Sequence, residues 1–314
     1  MLLLSKTFCK NKYMKILITG SNGLLGQKLI KLLAGKTDVT LLATSKGENR
    51  VKNKEGYNYQ PLDITNRTEV LNVVAEFKPD AIINTAAMTN VDACELDKEL
   101  CWDLNVNAVK YFIEAAEKNN THLIHLSTDF VFDGEAGPYK ETDLPNPLSY
   151  YGKSKYEAEK LLEKSTIKWS IARTIIVYGI ADDMSRSNIV LWAKEALEKG
   201  NPLTIVDDQF RSPTLAEDLA MGCYLIAEKE AEGIYHLSGK DVMSIIDLVY
   251  KVADFYGLDK SIVTAIKSAL LNQAAKRPPK TGFVLDKAIN DLGYNPVSFD
   301  EGLAELTKQL KLVN

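Results

Sequence analysis

An α/β chain built on a doubly wound parallel sheet, with a smaller lobe at its C-terminal end, is the fold class this sequence predicts. Three observations predict it. The chain opens on a strand, a glycine-rich turn and a helix, in that order. Strand-like and helix-like patterns alternate from there to Gly179. Beyond Gly179 the alternation loosens. Apolar strands separated by helices imply a parallel sheet covered on both faces, and right-handed crossovers wind such a sheet twice.

The first strand is Lys15-Ile-Leu-Ile-Thr19, β-branched and apolar, and the helix after it reads Gln27-Lys-Leu-Ile-Lys-Leu-Leu33. Val39–Ala43 and Asn58–Leu62 follow as short strands. Thr65 and Asn66 are N-cap candidates for the helix running to Phe77. Ala81–Asn84 is a strand, Lys98–Asn119 a helix, His122–Leu126 a strand, Tyr151–Lys164 a helix and Ser170–Arg173 a strand. In the second part, helices are expected at Asn188–Lys199, Leu215–Ala227 and Ser244–Tyr256, and strands at Leu203–Val206 and Ile234–Leu237. Lys276-Arg-Pro-Pro-Lys280 is a hard break, and Asp286–Leu292 and Asp300–Leu310 are terminal helices.

Between the first strand and helix stands Gly20-Ser-Asn-Gly23-Leu-Leu-Gly26. Three glycines at this place suit a pyrophosphate: Gly20 allows the turn, Gly23 lets phosphates approach the backbone, and Gly26 lets the helix pack close to the strand. The spacing is G-x-x-G-x-x-G rather than G-x-G-x-x-G. Residues 14–180 are therefore expected to form a dinucleotide-binding Rossmann domain. Residues 181–314 form a substrate-binding lobe, with parts of 204–240 packing back on the first domain. Met14 stands directly before the first strand, so residues 1–13 are expected to be a disordered lead-in or an overlong start.

The chain has 314 residues, 46% hydrophobic and 25% charged, an ordinary composition for a soluble globular protein. A net charge of −4 argues against a general nucleic-acid binder. No apolar run approaches a membrane span. The four cysteines (Cys9, Cys94, Cys101, Cys223) and three histidines make no zinc pattern and no C-x-x-C pair. A reduced, cytoplasmic setting is expected.

Three strands should end at one crevice, since ligands of such sheets sit at the carboxyl ends of the strands. They end at the glycine loop, at Asn84-Thr-Ala-Ala87 and at Leu126-Ser-Thr-Asp129. Ser127 and Thr128 are also ordinary turn residues. Tyr151 and Lys155 lie on one face of their helix, four residues apart. An ammonium beside a phenol lowers its pKa from ~10 and makes it a usable proton donor for a carbonyl oxygen. Tyr156/Lys160 and Tyr256/Lys260 share the spacing. Position favours Tyr151, which starts its helix near the sheet edge; alone it would read as a solvated i,i+4 pair.

In combination these strings resemble the extended short-chain dehydrogenase/reductases, and within them the dTDP-4-dehydrorhamnose reductase family. The supporting segments are Met88–Glu95, Ser127-Thr-Asp-Phe-Val-Phe-Asp-Gly134, Tyr151-Gly-Lys-Ser-Lys155, Val206-Asp-Asp-Gln-Phe-Arg-Ser-Pro-Thr214 and Arg277-Pro278. The resemblance runs from about Met14 to the end. It implies a reductase of a nucleotide-linked 4-keto sugar and a nicotinamide cofactor; the oligomeric state is left open, with a homodimer among the options. Tyr151 would be the general acid, with Lys155 tuning it and bonding the nicotinamide ribose, and Thr128 orienting the substrate carbonyl. Gly20, Asn22, Gly23, Leu24, Leu25 and Gly26 would hold the pyrophosphate. Asp63 and Ile64 would meet the adenine, Ala86 and Ala87 line the cofactor trough, and Asn105 stand behind the site. Met88, Asp129, Ile176, Arg211 and Arg277 are the further substrate-side candidates. Ile176 stands where the family often carries Trp, and Pro279-Lys-Thr281 where it usually has Asn and Ser. Both departures leave the sugar open.

Two rivals remain in view. One is an epimerase or dehydratase of the same extended family; Asp129 is followed by Phe130 rather than a second acid, which weighs against a dehydratase. The other is a binding protein like the regulatory subunit of methionine adenosyltransferase.

The second strand ends Leu41-Leu-Ala-Thr44, then Ser45-Lys46, with Arg50 close behind and no acid before Glu48. An acid there would accept from a ribose 2′-hydroxyl and repel a 2′-phosphate. Thr44, Ser45 and Lys46 instead suit the phosphate, so NADP(H) is expected to be preferred and NAD(H) accepted. Arg211 and Lys276/Arg277 could grip a substrate pyrophosphate or be surface charges. His122 and His125 read as core or surface histidines, Cys94 and Cys101 as buried helix residues, and Asp182/Asp183 as a solvated loop with no metal nearby.

Overall fold

The structure, a computed structural model, describes residues 13–183 and 187–313. Apart from Tyr13, the segment set apart as a lead-in lies outside the described residues. The first part runs β1 (Met14–Thr19), α1 (Leu24–Leu33), β2 (Val39–Ser45), β3 (Asn58–Pro61), α2 (Arg67–Phe77), β4 (Ala81–Asn84), α3 (Val91–Leu96), α4 (Lys98–Trp102), α5 (Ala108–Asn119), β5 (His122–Thr128), α6 (Tyr150–Glu163) and β6 (Trp169–Thr174). The second part runs β7 (Val177–Tyr178), α7 (Ile189–Glu198), β8 (Leu203–Val206), β9 (Phe210–Arg211), β10 (Thr214–Leu215), α8 (Ala216–Glu228), β11 (Gly233–His236), β12 (Met243–Ser244), α9 (Ile245–Tyr256), β13 (Val263–Ile266) and α10 (Phe299–Val313).

Seven strands form one parallel sheet in the order β3-β2-β1-β4-β5-β6-β11. The chain winds outward one way through β2 and β3, then returns past β1 to β4 and winds the other way. The switch point lies between β1 and β4, where the glycine turn and Asn84–Ala87 meet. Side chains alternate across each strand. Ile16, Ile18, Ile83 and Ile124 pack under α1 and α8, whereas Leu17, Ile82 and Leu123 pack under α2, α5 and α6. β11 comes from the second half of the chain and completes the sheet beside β6.

The C-terminal lobe has its own core, built from Val190, Ala193 and Leu197 of α7, Leu248, Val249 and Val252 of α9, and Leu303 and Leu306 of α10. A buried tie joins it to the first domain: Lys28 of α1 lies 2.8 Å from Glu217 of α8 and 2.8 Å from Gln309 of α10.

Several elements differ from expectation. Val91–Leu96 is a helix the pattern did not announce, capped by Asn90, whose side chain accepts from the Ala93 N–H. The helix expected over 98–119 is interrupted by a π-helical turn at Asp103–Asn107, a local widening often found at functional sites. The two-residue strands and β13, which pairs parallel with β8, carry too few residues to show a period. Asn66 is the cap of α2, accepting from Thr68 and Glu69.

Candidate active site

The glycine turn is built as the sequence required, with one change. Gly20 has φ +65, and a Cβ there would lie 2.8 Å from the Ala86 nitrogen, so the turn and the β4 loop touch through bare backbone. Gly26 presses on the turn itself rather than on the strand: its Cβ would lie 2.5 Å from the Gly20 oxygen. Gly23 caps α1 with no side-chain bond, and no acid stands in the first turn. The N–H groups of Leu24 and Leu25 therefore begin a helix whose positive end is not neutralised. Ser21 Oγ is buried without a partner. This cradle fits a pyrophosphate.

At the end of β5, Thr128 is buried and donates from Oγ1 to Asp129 Oδ1 at 3.1 Å, while Oγ1 accepts from the Phe130 N–H at 3.2 Å. Ser149 caps α6, so Tyr151 sits in its first turn and faces Thr128. Burial holds the Tyr151 phenol well above its ordinary pKa; the Thr128 hydroxyl opposes this and Asp129 adds to it. Lys155 lies one turn deeper, 2% exposed, and burial pushes its ammonium down to about 8 against Glu159, Cys101 and Cys94. Its hydrogen-bond partner is not the phenol: Nζ lies 2.9 Å from Nε2 of His125. The expectation that Lys155 lowers the Tyr151 pKa is thus corrected for this state, and the phenol stays protonated across neutral pH. Asn105, inside the π turn, accepts from the Met88 N–H at 2.8 Å and donates to Ser154 Oγ at 3.0 Å, fixing α6 against the Met88 loop. Tyr156 and Tyr256 are excluded: the first is half-buried at the edge of the core with Lys160 over its ring, and the second bonds Thr307.

The model of the family described as the RmlD substrate binding domain matches residues 14–312. The chain belongs to that family. It is 35% identical to a dTDP-4-dehydrorhamnose reductase of Aggregatibacter actinomycetemcomitans over 93% of this chain and 98% of that one. It is 31% identical to methionine adenosyltransferase 2 subunit beta of Danio rerio over 85% of this chain and 81% of that one. Among solved structures it is similar to the dTDP-4-dehydrorhamnose reductase of Bacillus anthracis in complex with NADP, with TM-score 0.81 and 27% identity over 95% of this chain and 100% of that one.

On the substrate side, family membership and geometry sort the candidates. Met88 packs on the cluster of Cys94, Cys101 and Tyr151, and Ile176 contacts the cores of both lobes. Its φ of 29 is strained for a β-branched residue, a strain held by the Thr214 N–H bonded to its carbonyl. Asp129 stands behind Thr128: Oδ2 accepts from Thr281 at 2.5 Å and lies 3.5 Å from Arg211 Nε. Arg211 does not face the crevice. It is 2% exposed and donates to the carbonyls of Phe210, Pro278 and Pro279, so it is a strut under the Pro-Pro break and not a pyrophosphate grip. Arg277 is half-buried and paired with Asp92 of α3 at 2.7 Å, strapping the lobe to the first domain. Its role is shared with Asp92, which the sequence reading did not single out.

The adenosine end also departs from expectation. Thr44 is buried and its hydroxyl donates to the Ile18 carbonyl at 3.0 Å, so it is removed from any ribose contact. Asn22 donates to the Glu48 carbonyl and accepts from the Arg50 N–H, which folds the 46–50 loop over the glycine turn. Ser45 is half-buried beside it, and Ile64 is buried. Lys46 pairs with Asp63 at 2.6 Å, raising the Lys46 pKa and lowering that of Asp63. Asp182 is not a solvated charge: its Oδ2 accepts from the Lys52 N–H, and its backbone N–H and C=O both bond Gln27. Ala86 and Ala87 are half-buried, and Ala86 lies against Gly20. Cys94, Cys101 and Cys223 are buried free thiols.

Proposed function

We propose that this chain is an NADP(H)-dependent reductase of a nucleotide-linked 4-keto sugar, of the dTDP-4-dehydrorhamnose reductase type. The observation that carries the reading is the placement of Thr128, Tyr151 and Lys155 at the C-terminal edge of the sheet, with the Tyr151 phenol kept protonated by burial. Gly20, Asn22, Gly23, Leu24, Leu25 and Gly26 would hold the cofactor's pyrophosphate, Ala86 and Ala87 its middle, and Ser45, Lys46, Asp63 and Ile64 its adenosine end. The bound cofactor supplies the hydride for the keto carbon. Tyr151 donates its phenolic proton to the keto oxygen, and Thr128 positions that oxygen. Lys155 carries the positive charge that stabilises the phenolate so formed, and bonds the ribose. NADP(H) is preferred over NAD(H), because a 2′-phosphate can take Lys46 from Asp63, and Arg50 stands near.

Asp129 has both carboxylate oxygens engaged by Thr128 and Thr281, which disfavours a dehydratase, where an acid must be free to act. The subunit-beta relative keeps a second reading open, in which the chain binds a partner enzyme and turns nothing over. A screen of NADPH oxidation against nucleotide-linked 4-keto sugars, with Tyr151→Phe as control, tests the two. Turnover lost in the control supports the reductase. Intact NADPH binding with no turnover on any sugar supports the binding protein.

No helix of the described residues is long and apolar enough to cross a membrane. We place the protein in the cytoplasm, a reading supported by three buried free thiols among the described residues. A homodimer belongs to the same reading, with Leu96 and Leu100 exposed on α3 and α4 as apolar surface for a second copy; sedimentation velocity tests it.

A further inference from the structure

β1 and β4 end level with one another, and β5 runs on three residues past that level to Thr128. Their registers place Thr19 opposite Asn84 and Asn84 opposite His125, and all three face α6. The side chains bond in a row. Thr19 Oγ1 donates to Asn84 Oδ1 at 2.6 Å, Asn84 Nδ2 lies 3.1 Å from His125 Nδ1, and His125 Nε2 lies 2.9 Å from Lys155 Nζ. All four residues are buried. The row therefore starts at the residue before Gly20 and ends on the lysine of the site.

The ring is neutral, because burial and the neighbouring lysine both push its pKa well below the usual histidine range. A neutral imidazole has one donor and one acceptor nitrogen. An ammonium only donates, so a charged Lys155 needs the lone pair at Nε2 and the ring proton at Nδ1. Asn84 must then turn its amide oxygen to Nδ1 and its NH₂ to Thr19. With the NH₂ toward Nδ1, the ring proton sits on Nε2 and suits an uncharged amine. A half-turn of the Asn84 amide and a change of tautomer exchange the two arrangements.

We propose that His125 is the positioning residue of Lys155, and that Thr19, Asn84 and His125 form a two-state row that holds the lysine as ammonium or as amine. The row itself stands on geometry; its bearing on catalysis rests on the reductase reading above. The other groups facing the amine are Glu159 on α6, Cys94 on α3 and Cys101 on α4, and each favours the charged form. His125 is the neutral acceptor among them, from the sheet side. The row ends at Thr19, whose Oγ1 also accepts from the Ala86 N–H at 3.3 Å. It is a support and not a proton conduit.

The test is the titration of Lys155 in ligand-free protein labelled with [ε-¹³C]lysine, the resonance assigned with Lys155→Arg. A glutamine at 125 reaches the Nε2 position with an amide oxygen; an asparagine reaches only the Nδ1 position. Loss of an acceptor from a buried ammonium lowers its pKa by about one unit. His125→Asn and His125→Leu are therefore expected to move the midpoint about one pH unit below wild type, and His125→Gln to restore most of it. The alkaline fall in NADPH affinity should move in parallel. Equal midpoints in the Asn and Gln variants would overturn the proposal and leave His125 a packing residue. If the Leu variant does not fold, the Asn/Gln contrast decides. Absence of sugar turnover in the wild type would overturn the reductase reading alone, since neither the titration nor the NADPH measurement uses sugar.

Discussion

The two ends of the crevice are held in opposite ways. At the proton-donating end Thr128, Tyr151, Lys155 and His125 are all buried, and Thr128, Lys155 and His125 are hydrogen-bonded within the fold. At the adenosine end Lys46 is 80% exposed and its partner Asp63 is 28% exposed. Buried polar groups titrate and point as their surroundings dictate, because leaving one unpaired costs about 1–3 kcal/mol. A solvated ion pair is worth roughly 0–1 kcal/mol, so a ligand phosphate can displace it. The first end is set before any ligand arrives; the second is set by the ligand.

The sharpest break is Tyr151→Phe. Removing a general acid costs typically ~10²–10⁴ in rate. Because the acid touches the reacting oxygen alone, kcat should fall by that order while the NADPH Kd stays within about twofold. Equal losses in both would mean that Tyr151 is a binding residue.

Next comes Gly20→Ala. Its positive φ and the 2.8 Å approach to Ala86 leave no room for a Cβ. Forcing one in costs of the order of 1–3 kcal/mol in strain. Thermal unfolding should move down by several degrees and NADPH binding should be lost, because the turn that supports the α1 N–H groups is displaced. Unchanged affinity would remove the pyrophosphate from this turn.

The pH profile follows from Lys155. Its folded pKa of about 8 lies below the ordinary 10.5, so the unfolded chain binds more protons between those values. Stability should accordingly rise with pH across that window, as the buried ammonium is discharged. Activity should fall over the same window, as the charge near the phenol is lost. Chemical denaturation and kcat measured from pH 7 to 10.5 give the two curves; parallel curves would contradict the assignment.

Lys46→Ala should have the smallest effect. Loss of an exposed phosphate contact is worth about 1 kcal/mol, roughly three- to tenfold in NADPH affinity. The loss should shrink in high salt, and NADH binding should not change. Tighter NADH than NADPH binding in the wild type would reverse the cofactor preference.

The two ends were not equally legible. The three glycines, the Ser127-Thr128 strand end and Tyr151/Lys155 are local signals, each carried by a few adjacent residues or by helical spacing. They could be read before the chain was folded. Thr44, Arg211 and His125 could not. Thr44, at a strand end, suits a 2′-phosphate by sequence, yet the pleat turns its hydroxyl to Ile18. Arg211 looked like an anion grip because arginine is one; three carbonyls at the Pro-Pro break consume it instead. His125 was dismissed as a core histidine, and it is buried, but it is buried against Lys155.

The sequence by itself determined the long strands and helices of the sheet domain, the glycine turn between the first strand and helix, and the phenol and lysine on one helical face. Those are consequences of short-range geometry: φ freedom at glycine, the period of two in strands and of 3.6 in helices. Only the tertiary structure decided which nitrogen receives the Lys155 amine, that Asp92 meets Arg277, and that β11 closes the sheet from the second half of the chain. Parallel strands bring residues far apart in sequence to the same level, and burial then makes their hydrogen bonds obligatory. No local pattern encodes such a pairing, because each partner is an ordinary core or surface residue until the sheet aligns them.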